Sequence, residues 1–279
     1  MARAHPEQIS PTAHYTGYVW FANGLSQPAF ATRKGRLMYT ALRAPNLIAA
    51  RTNLPSLDGM LLARHRLIDL RLAQAIDAGE VSQIIEVACG LSPRGWRFRS
   101  RYGDRITYVE ADLPGMLANK QRILAELGGE TAHHYTAEID ALAETSIDDL
   151  CATLDPTRGT AIITEGLINY FDRATITAMW TRFAHALARF PKGIYFSDII
   201  VEEANRGLLV HGFTYVLSAF VRGRTHIHFA DALEVEAELE RAGFDGIALD
   251  PRDFTDELPD LELAGAGRVK VIEALACHT

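Results

Sequence analysis

The chain has 279 residues, 48% apolar and 23% charged, a balance that excludes disorder, a collagen-like repeat and a disulfide-stapled miniprotein. Twenty-eight basic residues against 35 acidic ones give a formal charge of −7, which argues against the clustered basic face of a nucleic-acid binder. Cys89, Cys151 and Cys277 are odd in number and far apart, the usage of a reducing compartment, and Met1–Gln8 lacks the apolar core of a signal peptide. The most apolar stretch, Leu208 to Val221, is broken by His211 and Gly212 and falls short of the ~20 residues a membrane span needs. The expectation is a cytoplasmic protein with no membrane or nucleic-acid partner.

From Met1 to Ala78 there is no β-rich run. Aromatic and basic patches (Tyr15, Tyr18, Trp20, Phe21; Arg33, Lys34, Arg36) precede a helical pattern in which Leu61, Leu62, His65, Leu67, Ile68, Leu72 and Ile76 recur at spacings of three and four. Asp58-Gly59 reads as its start and Gly79 as its stop. Helix packing is the expected use of the aromatics, with a lid formed by them and Lys34 as the alternative.

After Glu80 the texture changes to short apolar runs between helical patterns. Strands are expected at 83–87, 106–110, 133–136, 160–164, 193–197, 246–249 and 268–274. One helix begins at the N-cap Asp172 and carries Ile176, Met179, Trp180, Phe183 and Leu187 on one face; another begins at Asp231 and ends near Gly243. Alternating strands and helices imply βαβ units. The fold class is therefore α/β: a doubly wound, mostly parallel, seven-stranded Rossmann-like sheet, one domain with residues 1–78 as a helical cap and 79–279 as the core.

In such a sheet ligands sit outside the carboxyl ends of the strands, first of all at the turn after the first strand. Here it reads Val87-Ala88-Cys89-Gly90-Leu91-Ser92-Pro93-Arg94, with small residues that let a ligand approach the backbone and Ser92-Pro93 as the start of a helix. A dinucleotide fingerprint is only partly met, since Ala88 replaces its first glycine and its third glycine is absent. A nucleophile elbow is met no better: Arg94 replaces its second glycine, and Pro93 lacks the N–H an oxyanion hole would use. The second strand ends in Glu110 and Asp112, the latter 22 residues beyond Gly90, a spacing suited to ribose hydroxyls. The third ends at Glu138-Ile139 and the fourth at Glu165-Gly166, so four successive strands finish in carboxylate or glycine, which favours an adenosine site.

These residues bear a family resemblance. The stretches 63–69 (ARHRLID), 85–94 (IEVACGLSPR), 109–114 (VEADLP) and 164–171 (TEGLINYF) together resemble, in order, the leucine carboxyl methyltransferase and polyketide O-methyltransferase family. The resemblance implies S-adenosylmethionine as cofactor and S-adenosylhomocysteine as product. It assigns Arg64 to the methionine carboxylate, and Glu86, Ala88, Cys89 and Gly90 to the strand-one segment beside the cofactor. Asp112, helped by Glu110, takes the ribose, Glu138 and Ile139 flank the adenine, and Glu165 sits by the methionyl amine. Ala88 and Glu138-Ile139 depart from the family's usual Gly and Asp-Leu.

The implied reaction is methyl transfer to an oxygen, carboxylate or hydroxyl, of a small-molecule acceptor by a monomer or homodimer. Tyr170, Arg222, Arg224 and His226 are the candidate catalytic or acceptor-binding residues. No metal is expected, because His226 and His228 lack a third ligand at a recognisable spacing. An NAD(P)-linked oxidoreductase and a non-catalytic protein of the same fold are the alternatives.

Overall fold

The run Gln83–Val87 forms β1, buried at all five positions, as a strand covered on both faces must be. It lies between two parallel neighbours, β2 (Thr107–Asp112) and β4 (Thr160–Thr164). β3 (His134–Glu138) pairs parallel beyond β2, and β5 (Gly193–Ile199) parallel beyond β4. The last strand, β7 (Lys270–Ala276), inserts antiparallel between β5 and β6 (Phe244–Leu249), giving the order β3-β2-β1-β4-β5-β7-β6. This computed structural model describes residues 11–51, 54–205 and 227–277. The observed β1 and β4 coincide with expectation residue for residue, and the other strands differ by one or two residues at one end or both.

Side chains alternate between the two faces of the sheet. Ile84 and Tyr108 pack with Leu67, Ile68 and Leu72 of α3 (Leu57–Asp77) and Phe98 of α4 (Arg94–Tyr102). Ile85 and Val109 pack on the other side with Trp180 and Phe183 of α7 (Arg173–Leu187) and Val235 and Leu239 of α8 (Ala232–Arg241). The segment before residue 79 thus does more than cap the core, because α3 supplies part of one covering layer. Three further described helices are α5 (Pro114–Glu126), α6 (Ser146–Cys151) and α9 (Leu263–Ala266).

Helix starts follow from capping chemistry. Asp172 accepts the amide hydrogen of Thr175 at 2.8 Å, and Asp231 that of Glu234 at 3.0 Å. Ser56, rather than Asp58, caps α3 by accepting from Gly59 at 2.9 Å; Asp58 instead accepts the Tyr15 hydroxyl at 2.5 Å. At α4 the expected cap is displaced by one position: Pro93 is the N-cap, and Ser92 Oγ accepts from the Arg94 amide at 3.3 Å.

Before α3, α1 (Pro11–Ala22) and α2 (Arg33–Arg51) close over it. Tyr15 and Val19 of α1 join Met60 and Leu61 of α3 in one apolar cluster, so part of the aromatic patch serves as helix packing.

Candidate functional site

After β3 the chain returns across the sheet and adds β4 on the opposite side of β1, so the strand order reverses between β1 and β4. A crevice is expected at the carboxyl ends there. A cleft of about 240 Å³ occupies it. Its floor is the turn after β1, where Ala88 (φ +55°) and Gly90 (φ +51°) both adopt the left-handed conformation. Ala88 is the one non-glycine residue so placed among the described residues, and an L side chain is strained there.

Asp112, at the end of β2, holds this floor. Its Oδ2 accepts the Gly90 amide hydrogen and its Oδ1 that of Leu113, each at 2.8 Å. Each oxygen keeps a further lone pair for another donor. Burial raises the Asp112 carboxyl above its ordinary value, against the lowering effect of those two amides. Cys89 also lines the cleft, and burial pushes its thiol well up, which makes it a poor nucleophile.

Opposite Asp112 the wall is ionic. Glu165, just past β4, meets Arg64 Nε at 3.1 Å, His65 Nδ1 at 2.8 Å and an Arg94 terminal nitrogen at 2.6 Å. Burial alone would raise the Glu165 carboxyl; the charges of His65, Arg94 and Arg64 outweigh it and hold the group well below the usual carboxylate range. Arg64 also donates to Asp198, on β5, at 2.8 Å. With Nε and one terminal nitrogen so engaged, Arg64 offers its other terminal nitrogen to the cleft, with no described acceptor.

Arg94 anchors this wall from below. Its fully buried guanidinium meets Asp69 at 2.5 Å and Glu86 at 2.6 Å besides Glu165, and Glu86 accepts the Tyr108 hydroxyl at 2.8 Å. The cleft is closed by α1, which contributes Thr12, Ala13, Thr16 and Trp20, and by Tyr170, whose hydroxyl lies 3.5 Å from Thr12 Oγ1. Trp20 packs against His65 with ring centroids 4.6 Å apart and the planes tilted by 37°.

A family model described as leucine carboxyl methyltransferase matches residues 21–184, more than half of the chain. The chain belongs to the leucine carboxyl methyltransferase family. A curated relative from Mycobacterium leprae, named for S-adenosyl-L-methionine-dependent methyl transfer, is 31% identical over 172 residues, covering 58% of this chain and 55% of its own. The match thus spans little more than half the length of that relative. The fold is shared with a crystallised protein of Thermobifida fusca YX described as a methyltransferase (TM-score 0.64, 12% identity, 98% of this chain and 97% of that one). It is shared too with an O-methyltransferase family protein of Burkholderia thailandensis (TM-score 0.52, 13% identity, 95% and 70%).

Of the residues that the family resemblance singled out, Arg64, Ala88, Cys89, Gly90, Asp112, Glu165 and Tyr170 line the one cleft. Four others lie elsewhere. Glu86 is buried against Arg94 and Tyr108. Glu110 shares the Asp112 face of β2, but Lys120 of α5 and His134 of β3 cover it, so it sits beneath the cleft. Its carboxyl, which burial alone would raise, is held low by those two groups, and Lys120 also donates to the Ser92 carbonyl at 2.6 Å. Glu138 ends the edge strand β3 and faces solvent, whereas Ile139 turns into the apolar cluster under α7. Arg222, Arg224 and His226 lie outside the described residues.

The sequence reading missed Asp198 and Arg94, and gave the α1 wall only as the alternative, a lid formed by the N-terminal aromatics. Asp198 carried a signal, an acid closing the apolar run of β5, and so did Arg94, a charge where a tight turn invites a small residue. Among the described residues no helix is long and apolar enough to cross a membrane, and no group of three or more His, Cys, Asp or Glu could hold a metal ion.

Proposed function

We propose that this chain is an S-adenosylmethionine-dependent methyltransferase acting on an oxygen of a small-molecule acceptor. The observation that carries the reading is the pairing, across one cleft, of an acid clamped to the β1 turn (Asp112 on Gly90) with an ion-paired wall (Arg64, Glu165). The donor set fits the cofactor. Asp112 retains acceptor capacity for ribose hydroxyls, Arg64 a nitrogen for a carboxylate, and Glu165 a negative charge for an ammonium. A Cβ added at Gly90 would come no closer than 3.8 Å to its neighbours, so glycine there answers to the φ of +51° rather than to crowding.

When bound, the cofactor supplies an electrophilic methyl group on a sulfonium. The protein's task is to fix donor and acceptor in line and exclude water, a contribution on the order of 7–11 kcal/mol in well-oriented systems. Trp20 and Tyr170 screen the cleft from solvent. Glu165, held anionic by the groups paired with it, is a weak base. The described wall therefore binds and orients rather than removing a proton. That favours an acceptor already ionised, a carboxylate, in line with the family's name. Arg222, Arg224 and His226 are our proposed acceptor contacts, on sequence grounds.

Incubation with cofactor labelled in the methyl group and a panel of small carboxylic acids and phenols tests this. Ester products release the label as methanol on alkaline treatment; ethers retain it. Ester formation is expected. Ether products would replace the carboxylate by a hydroxyl, and no labelled product from any acceptor would count against transfer. The dinucleotide alternative finds no support: the turn lacks the first and third glycines of the fingerprint, and Arg94 beside it is consumed beneath the cleft by three carboxylates.

A further inference from the structure

The basic patch that opens α2 lines no part of the cleft. In this helix Arg33, Lys34, Arg36, Arg43 and Arg51 stand without one acidic residue among 19, although acids outnumber bases in the chain as a whole. Side chains three and four apart share a helix face. Met38, Tyr39 and Leu42 turn inward onto the cluster of Tyr15, Met60 and Leu61. The outward face carries Leu37, Ala41, Ala44 and Ile48 in one stripe, all exposed, Leu37 at 72% and Ile48 at 62%. Leu47 and, just beyond the helix, Leu54 are exposed too, so four of the nine exposed large apolar side chains described fall between residues 37 and 54. Scattered exposed leucines are ordinary; a cluster marks a contact. At about 3.6 residues per turn, Lys34 lies on one side of the stripe and Arg36 and Arg43 on the other, with Arg33 and Arg51 at its ends. All five cations are exposed, and none is ion-paired to a described carboxylate.

We propose that this face of α2 docks on an anionic lipid surface, its apolar stripe entering the boundary between headgroups and acyl chains and its cations lying at headgroup level. A helix on a bilayer is held by buried apolar area together with attraction to anionic lipid, and long basic side chains keep their stems among apolar groups while the charge reaches the headgroups. An apolar stripe rimmed by cations on both sides fits a layered partner, apolar beneath and anionic above, which is the make-up of such a leaflet. The expectation of no membrane partner rests on the lack of a spanning segment, and a helix that lies on the surface needs none. Tyr39 of α2 packs against Tyr15 and Tyr18 of α1, and α1 lines the cleft through Thr12, Ala13 and Thr16. A docked chain therefore holds its cleft one helix away from the bilayer.

Sedimentation of the full chain with vesicles tests this, using phosphatidylcholine alone and phosphatidylcholine mixed with phosphatidylglycerol. Co-sedimentation with the mixed vesicles only, weakening as salt is raised, is expected. Two variants that alter exposed side chains alone, Arg36→Gln/Arg43→Gln and Leu37→Ser/Ile48→Ser, should each weaken vesicle affinity by about tenfold or more. Thermal unfolding close to that of the wild type identifies variants that have folded. Should either fail to fold, the response of the wild-type chain to lipid charge and salt decides. Sedimentation with neither vesicle, or equally with both, would overturn the proposal. Loss in the glutamine variant alone would show a charge contact without insertion, as an acidic protein surface would make, and would overturn it too. A dimer in solution that the serine variant dissociates would give the stripe to a second copy of this chain instead.

Discussion

The Oδ2 of Asp112 accepts the amide hydrogen of Gly90 at 2.8 Å, so the acid that ends β2 fixes the turn that leaves β1. A residue expected to hold a ligand also holds the backbone that the ligand would rest on. Asp112→Ala leaves the Gly90 and Leu113 amides without their acceptor and should cost about 1–3 kcal/mol of stability. Urea denaturation measures that loss, and titration should show a larger loss in affinity for S-adenosylhomocysteine. Unchanged affinity would remove Asp112 from the ribose.

Arg94 is the anchor of the ionic wall. Arg94→Met leaves Glu86 with the Tyr108 hydroxyl alone and takes one cation each from Asp69, which keeps Arg97, and Glu165, which keeps Arg64; it should destabilise the fold by about 3–5 kcal/mol, the cost of breaking a buried pair from one side. Arg94→Lys should recover only part of this, since one ammonium cannot span three carboxylates. Denaturant midpoints of the two variants check the order.

The same wall sets an acid limit. Glu165 and Asp69 are held below their ordinary values because their cationic neighbours outweigh burial. A depressed carboxyl contributes stability that is present in full above its unfolded value, 4.5 for Glu165, and is lost as the pH falls. Wild-type protein should therefore lose more stability between about pH 5 and pH 3 than Arg94→Met, in which that coupling is weaker. Denaturation at the two pH values measures the difference. A variant as acid-sensitive as the wild type would contradict the assignment.

Ala88 carries backbone strain in the floor of the cleft. Ala88→Gly should stabilise the protein by about 1 kcal/mol, a rise in Tm of about 2–4 °C, because relief of the left-handed strain exceeds the entropy glycine adds to the unfolded chain. Ala88→Val should do the reverse. Thermal unfolding of the pair checks the sign.

Gly166 follows Glu165 with φ +72°, and a Cβ there would lie 2.9 Å from a terminal nitrogen of Arg64. Gly166→Ala should cost about 1–2 kcal/mol in backbone strain. It should also displace Arg64, so affinity for S-adenosylhomocysteine falls further than affinity for methylthioadenosine. Equal falls would show that Arg64 does not meet the amino-acid moiety.

The fold was legible where burial is continuous. Ile84-Ile85 and Ile162-Ile163 sit in strands covered on both faces, whose ends coincide with their apolar runs. The antiparallel insertion of β7 was not legible, because a strand's direction leaves no mark on its own sequence. In the site, strand-end position pointed to Gly90, Asp112 and Glu165, which line one cleft. It misplaced Glu110, since a period of two puts Glu110 and Asp112 on one face but says nothing of Lys120 and His134 arriving from other elements to cover the first. Trp20 was left between two uses for a related reason: one aromatic patch both packs the helices, through Tyr15, and lines the cleft.

The most direct measurement is a calorimetric titration of the purified protein with S-adenosylhomocysteine, with NAD and NADP as controls. Micromolar binding of the first and none of the dinucleotides is the predicted result. No binding of the nucleoside, or a preference for either dinucleotide, would contradict the reading of the cleft between β1 and β4.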